Sequence, residues 1–278
     1  MPFGSDALQG INGIAASVLL GKCRGGNIFF VGVLAFLIKF AFRRFKQKER
    51  FMTSMFIRGW NWCRRFRHRK GYGVHSSSDF YLITFVVYEQ APYYSYKHLH
   101  SLRSNSKSRL RYREKTDKFL LRLANYLQPG AMLELGTGSG IEACYLVSGK
   151  KTRLTTFDEA ILPETTALLS NISPKIDYRG GGMTAFSHWF EENKNQLPTL
   201  IHIAHTPHYA EYVEMIMPYV SSNTCLVIGK PYATAQKRRW WKQLITDPRT
   251  GVTFDLYDVG LVFFDKKRIK EHRIVNFL

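Results

Sequence analysis

The chain predicts an α/β protein: a three-layer α/β/α sandwich around a seven-stranded, mostly parallel sheet, with a C-terminal antiparallel hairpin and an N-terminal helical extension. Three observations carry this expectation. From residue 131 onward, short apolar runs of strand length alternate with helix-length amphipathic stretches, a pattern that puts helices on both faces of a parallel sheet. The first of those runs ends abruptly in glycines. The last two lie too close together for a helix to come between them, so they must pair antiparallel.

Taken in order, residues 79–127 read as helical. Phe80, Ile83 and Val87 share one apolar stripe, and Phe119, Leu120, Leu123 and Leu127 share another. Pro92 and the Ser/Asn/Lys stretch 101–108 separate the two, and Pro129-Gly130 stops the second. Strands are expected at Ala131–Leu135, Arg153–Phe157, Ile176–Arg179, Leu200–Ala204, Cys225–Gly229, Val252–Tyr257 and Leu261–Phe264. Helical patterns fill 140–148, 162–171, 183–194, 209–219 and 233–246. Only Asp258-Val259-Gly260 separates the last two strands, which is hairpin spacing.

Composition narrows the class. The chain has 278 residues, 45% hydrophobic and 14% aromatic, which excludes a disordered protein. Its net charge of +19 points to a nucleic acid, an anionic membrane surface or an acidic substrate. That charge is concentrated: Lys39 to Lys70 holds twelve Lys or Arg against one acid, Glu49. Cys23, Cys63, Cys144 and Cys225 have neither zinc spacing nor the density of a disulfide framework, consistent with a reducing, cytoplasmic compartment.

Three regions follow. Residues 1–50 form a hydrophobic and basic segment, residues 51–128 a basic, helical region, and residues 129–278 the α/β domain. Ile28 to Ile38 is unbroken apolar sequence, shorter than the roughly 20 residues of a spanning helix. Lys39 could snorkel, with Arg43, Arg44, Lys46 and Lys48 beside anionic headgroups. This implies residues 28–50 at the inner face of a membrane. A packed helix, or translation starting at Met52 or Met55, competes with that reading. The basic and aromatic run 56–75 suits phosphate contact and stacking. No nucleic-acid module signature accompanies it, so a basic amphipathic helix is the expectation and nucleic acid is disfavoured as a partner.

The chemistry-bearing feature is a strand running into Glu134-Leu135-Gly136-Thr137-Gly138-Ser139-Gly140 and opening a helix. Glycines let backbone turn sharply and approach a ligand closely, and the new helix offers free N–H groups. A dinucleotide site would show G-x-G-x-x-G around a pyrophosphate. Here the pattern is G-x-G-x-G, with Glu134 before it and Glu142 in the first helical turn, and both carboxylates would repel a diphosphate. Glu134 suits the ammonium of a methionine moiety instead. Asp158 ends the second strand, where a carboxylate can accept from ribose hydroxyls. Glu159 is its neighbour.

Residues 131–140, AMLELGTGSG, resemble the first motif of class I S-adenosylmethionine (AdoMet) dependent methyltransferases, a Rossmann-like family. More narrowly the chain resembles bacterial O-methyltransferases of the catechol and caffeoyl-CoA type, some of which carry a G-V-H-S-P stretch like Gly73-Val74-His75-Ser76-Ser77. The resemblance covers roughly residues 107–278. It implies methyl transfer to a small acceptor, with Glu134, Gly136, Thr137, Gly138, Ser139 and Gly140 at the methionine end. It also implies Asp158 at the ribose and Gly180-Gly181-Gly182-Met183 beside the adenine. The family's metal ligands do not carry over. Its I-D-x-x-H-x-Y stretch reads Ile203-Ala204-His205-Thr206-Pro207-His208-Tyr209, and its acidic pair reads Gly229-Lys230. No metal site is therefore expected, and His205, His208 and Lys230 are the candidate catalytic groups. A degenerate, non-catalytic protein on a membrane is the alternative. An RNA methyltransferase ranks lower.

Overall fold

In a computed structural model, the described residues are 55–278 without 107, 109, 150, 151 and 205. Both the apolar segment 28–50 and His205 therefore lie outside the described residues. Residues Gly59–Leu278 form one compact unit. Its centre is a sheet of eight strands: β1 Ala131–Leu135, β2 Arg153–Phe157, β3 Ile176–Arg179, β4 Leu200–Ile203, β5 Cys225–Gly229, β6 Thr253–Asp255, β7 Val259–Phe263 and β8 His272–Ile274. Their order is β3-β2-β1-β4-β5-β7-β6-β8. Strands β1 to β5 are parallel, and β7 pairs antiparallel with both β5 and β6. The sequence expectation of seven strands is corrected to eight: β8 runs parallel to β6 at the sheet's edge.

Alternation within the strands builds two cores, because successive side chains point to opposite faces. On one face Met132, Leu200 and Val227 meet Phe119, Leu123 and Cys144 of the helices α3 (Glu114–Leu127) and α4 (Ile141–Val147). On the other, Leu133, Ile201 and Ile228 meet Phe186, Val213 and Trp241 of α6 (Gly182–Asn193), α7 (Tyr209–Ile216) and α8 (Ala235–Thr246). Helix α5 (Pro163–Ile172) links β2 to β3. Trp241 is fully buried and lies over Gly260, where an added Cβ would come within 2.6 Å of the indole.

Before the sheet come α1 (Ser77–Tyr81), a wider π-helical stretch at Leu82–Val87, and α2 (Ser95–Asn105). Helix α2 includes much of the stretch expected to be a separator. The widened turn shifts the apolar face: Leu82, Ile83, Val86 and Val87 are buried, whereas Phe80, expected in the stripe, is exposed. Ser76 caps α1 by accepting from the Asp79 N–H at 3.4 Å. Buried Asp79 pairs with Arg268 and Arg273, locking α1 to the C-terminal segment around β8.

Candidate functional site

The site forms where β1, β2, β4 and β5 end, and strand register explains its centre. Glu134 is paired in register with Thr156 on one side and His202 on the other. In a parallel sheet such neighbours share a face, so three polar side chains form a row across the sheet. Thr156 donates to Glu134 Oε2 at 2.9 Å, and His202 Nδ1 lies 3.0 Å from Glu134 Oε1. The row continues at both ends. Thr137 Oγ1 is 2.6 Å from Thr156 Oγ1, and the Tyr112 hydroxyl is 3.2 Å from His202 Nε2. Glu134 and His202 are wholly buried. The sequence places Glu134 against a ligand; here both its oxygens are engaged inside the protein, beneath the glycine loop.

The loop follows from its glycines. Gly136, Gly138 and Gly140 all adopt positive φ, and the Gly136 and Thr137 N–H groups both donate to the Phe157 carbonyl, tying the turn to β2. Asp158 Oδ2 accepts from the Gly138 N–H at 2.6 Å, so the acid ending β2 braces the loop. Thr165 donates to the Gly138 carbonyl at 2.9 Å. Ser139 is buried against Glu142. Burial, with Glu134 nearby, pushes the Glu142 carboxyl up. Asp117, from α3, is likewise raised by burial and by Glu142, although Arg103 pairs with it. The Gly180–Gly182 turn stacks beside this bracing: the Gly182 N–H donates to the Asp158 carbonyl at 2.9 Å.

A residue that sequence reasoning passed over sits on the loop. Arg111 donates to the Gly136 carbonyl, and its guanidinium carbon lies 2.6 Å from where a Gly138 Cβ would stand. The space over Gly138 is thus filled by a flexible cationic side chain, not by backbone. It is a cradle of the right chemistry for AdoMet, whose methionine end carries an ammonium and a sulfonium. The guanidinium stands in for such a cation against the Gly136 carbonyl. Residues and group therefore fit, on condition that Arg111 gives way.

The sequence's candidate catalytic positions lie at the ends of β4 and β5. Gly229 stands where the resemblance would have an acidic residue, and the space its side chain would need is taken by the Tyr112 hydroxyl. The Tyr112 hydroxyl lies against His202, whose other nitrogen faces Glu134, and burial raises the phenol's pKa well above its usual value, so Tyr112 keeps its proton. Lys230 has a left-handed backbone and places its ammonium 5.9 Å from the centre of the Tyr112 ring. Buried Lys237 donates to the Gly229 carbonyl at 2.7 Å. Burial, then Arg111 and Lys230, lowers its pKa to about 8. His208 is instead at the rim, 2.8 Å from Glu211 and 3.9 Å from Glu159. Among the described residues no three His, Cys, Asp or Glu side chains group as metal ligands. The sequence did hold a signal for Lys237: it lies on the stripe of Trp241 and Leu244, where a lysine is out of place.

No family model and no curated protein matches the chain. Solved structures do. The O-methyltransferase from Bacillus cereus, in complex with SAH (S-adenosylhomocysteine), aligns over 68% of this chain and 97% of its own, with TM-score 0.51 and 16% identity. A Klebsiella pneumoniae protein described as an O-methyltransferase gives the same coverage, score and identity. A Staphylococcus aureus protein described as a caffeoyl-CoA O-methyltransferase covers 67% of this chain and 98% of its own, with TM-score 0.50 and 14% identity. At these identities the likeness establishes a shared fold.

Proposed function

We propose that this chain is an AdoMet-dependent methyltransferase that methylates oxygen on a small acceptor without a divalent metal. The observation that carries the reading is the cradle over Gly136–Gly138, cation-filled and flanked by Asp158 at the end of β2. The solved relative from Bacillus cereus holds SAH on the same fold, which supports AdoMet as the donor. Bound AdoMet supplies an electrophilic methyl on a cationic sulfur. The protein's part is to align the acceptor oxygen and remove its proton. Gly136 through Gly140 hold the methionine end and Asp158 faces the ribose. Tyr112, backed by His202, and Lys230 line the place where a proton must leave. The acceptor position holds Gly229 and Lys230 instead of acids, and the Tyr112 hydroxyl fills the space of a ligand side chain. That favours chemistry without a metal.

A second reading has its own observation: Asp158 and Arg111 both engage the loop internally. A protein that keeps the fold, binds weakly and no longer turns over would look the same. Tritiated methyl transfer from AdoMet to a panel of catechols, run with chelator, separates the two. Turnover in chelator supports the enzyme, and loss of turnover restored by magnesium overturns the metal-free part. Cofactor binding with no product across the panel supports the second reading. Membrane attachment through residues 28–50 remains a proposal of its own. Among the described residues no helix is long and apolar enough to cross a membrane.

A further inference from the structure

Away from the glycine loop, a cavity of about 1550 Å³ is walled by the basic run at 62–72, the 87–92 turn, the exposed side of α3 and the C-terminal residues 276–278. This is larger than the usual small-ligand pocket of roughly 300–1,000 Å³. Its walls carry two kinds of group. Arg67, Arg69, Lys70, Lys115 and Lys118 supply positive charge. Trp62, Phe66, Tyr72 and Phe80 present rings that remain substantially exposed, Tyr72 at 80%. Cations and rings interleave: Arg69 lies 3.6 Å from the Phe66 ring centre, Lys115 4.2 Å from Phe277 and Lys118 5.0 Å from Tyr96. Negative groups are fewer, and their pairing with Lys118 and Lys115 leaves the positive charge chiefly on Arg67, Arg69 and Lys70. Glu114 is paired with Lys118 and His100, Glu89 accepts from the Ala91 N–H, and the Leu278 carbonyl end lies 3.5 Å from Lys115.

These walls are built, not draped. The Asn276 N–H donates to the His68 carbonyl at 2.9 Å and its side chain donates to the Trp62 carbonyl at 3.0 Å. Tyr88 donates to the Asn276 carbonyl. The turn that projects Tyr72 uses left-handed backbone at Lys70 and Gly71 and packs on the Phe80 ring. The backbone that carries the rings is fixed in this way, which lowers the entropic cost of stacking on them.

We propose that this groove binds a single-stranded nucleic acid, phosphates along the cations and unstacked bases on the exposed rings. A duplex keeps its base faces stacked on one another, so exposed rings set among cations find a free base face only on a single strand. A bilayer, being flat, would call for these residues on a protruding face. The sequence alone disfavoured nucleic acid because no module signature is present; it is the folding of 62–72 against α3 and the C-terminus that assembles the walls. The proposal is independent of methyl transfer, since no residue of the glycine loop lines the groove.

The test is fluorescence anisotropy of the full chain with a labelled 12-nucleotide oligouridine, its duplex with oligoadenosine, and anionic vesicles of phosphatidylserine. The expected result is single-strand binding at least tenfold tighter than duplex. A log–log salt slope of about −3 would fit four or five phosphates at roughly 0.7 each. Trp62→Ala and Tyr72→Ala should each weaken binding about fivefold or more without changing that slope. Lys115→Glu with Arg67→Glu should weaken it strongly and flatten the slope. Lys266→Glu with Lys267→Glu, an equal charge change outside the groove, should have little effect. Equal affinity for duplex, equal loss in the control pair, or loss only of vesicle binding in the groove variants would overturn the proposal. Circular dichroism on every variant separates loss of binding from loss of fold.

Discussion

Arg111→Ala should tighten AdoMet binding. Its guanidinium donates to the Gly136 carbonyl and fills the space above Gly138, so a ligand entering the cradle must break that contact. A hydrogen bond from a charged donor contributes about 1.5–3 kcal/mol when buried. Arg111 is only partly buried, which brings its hold on the closed form to about 1–2 kcal/mol. Apparent affinity falls by the fraction of molecules in the open form. Removing the side chain should therefore lower the Kd about 5- to 30-fold. Arg111→Lys, which keeps the charge but loses the planar fork, should fall between. Calorimetric titration of AdoMet and of SAH into wild type and both variants measures this. An alanine variant that binds as wild type does, or more weakly, would refute the displacement argument and make Arg111 either idle or a ligand contact.

Four further outcomes are expected. Lys237, with its pKa lowered from 10.5 to about 8, costs stability in full below pH 8, and that cost disappears between pH 8 and 10.5; urea unfolding should show wild type gaining about 3 kcal/mol relative to Lys237→Met over that window. Glu134→Ala should destabilise by about 3 kcal/mol by stranding buried His202 and Thr156, which thermal unfolding would register. Gly138→Val should abolish cofactor binding by calorimetry, since its side chain would fill the cradle at a left-handed position; circular dichroism must show the fold intact. Gly260→Val should cost several kcal/mol by driving into Trp241, so soluble yield and melting temperature should both fall.

Much of the sheet was legible because the central parallel strands, buried on both faces, read as short, mainly apolar runs between helical stretches, clearest in Cys225–Gly229. Five strands match their expected bounds or miss by one residue. Strand β8 was not legible: His272-Arg273-Ile274 is a three-residue edge strand with two exposed residues around Arg273, and it leaves no apolar signature. Phe80 misled because i, i+3, i+7 spacing presumes an α-helix, and the π-helical stretch at Leu82–Val87 moves the buried face off it. At the site, the glycine loop was legible because its left-handed backbone favours glycine; Asp158 was expected at a ribose, and in the structure its carboxylate accepts from the Gly138 N–H. Arg111 and Tyr112 could not, since they lie in a charged stretch that reads as solvated surface and reach the loop only through tertiary packing. His202 was not singled out: it lies within β4, its partner Glu134 is 68 residues away, and only strand register joins them.

The measurement closest to the central claim is calorimetric titration of AdoMet and SAH into the full chain with chelator present. Saturable binding at one site per chain, with Kd in the micromolar range, is expected for both. No heat of binding for either, up to millimolar ligand, with the protein folded, would contradict it.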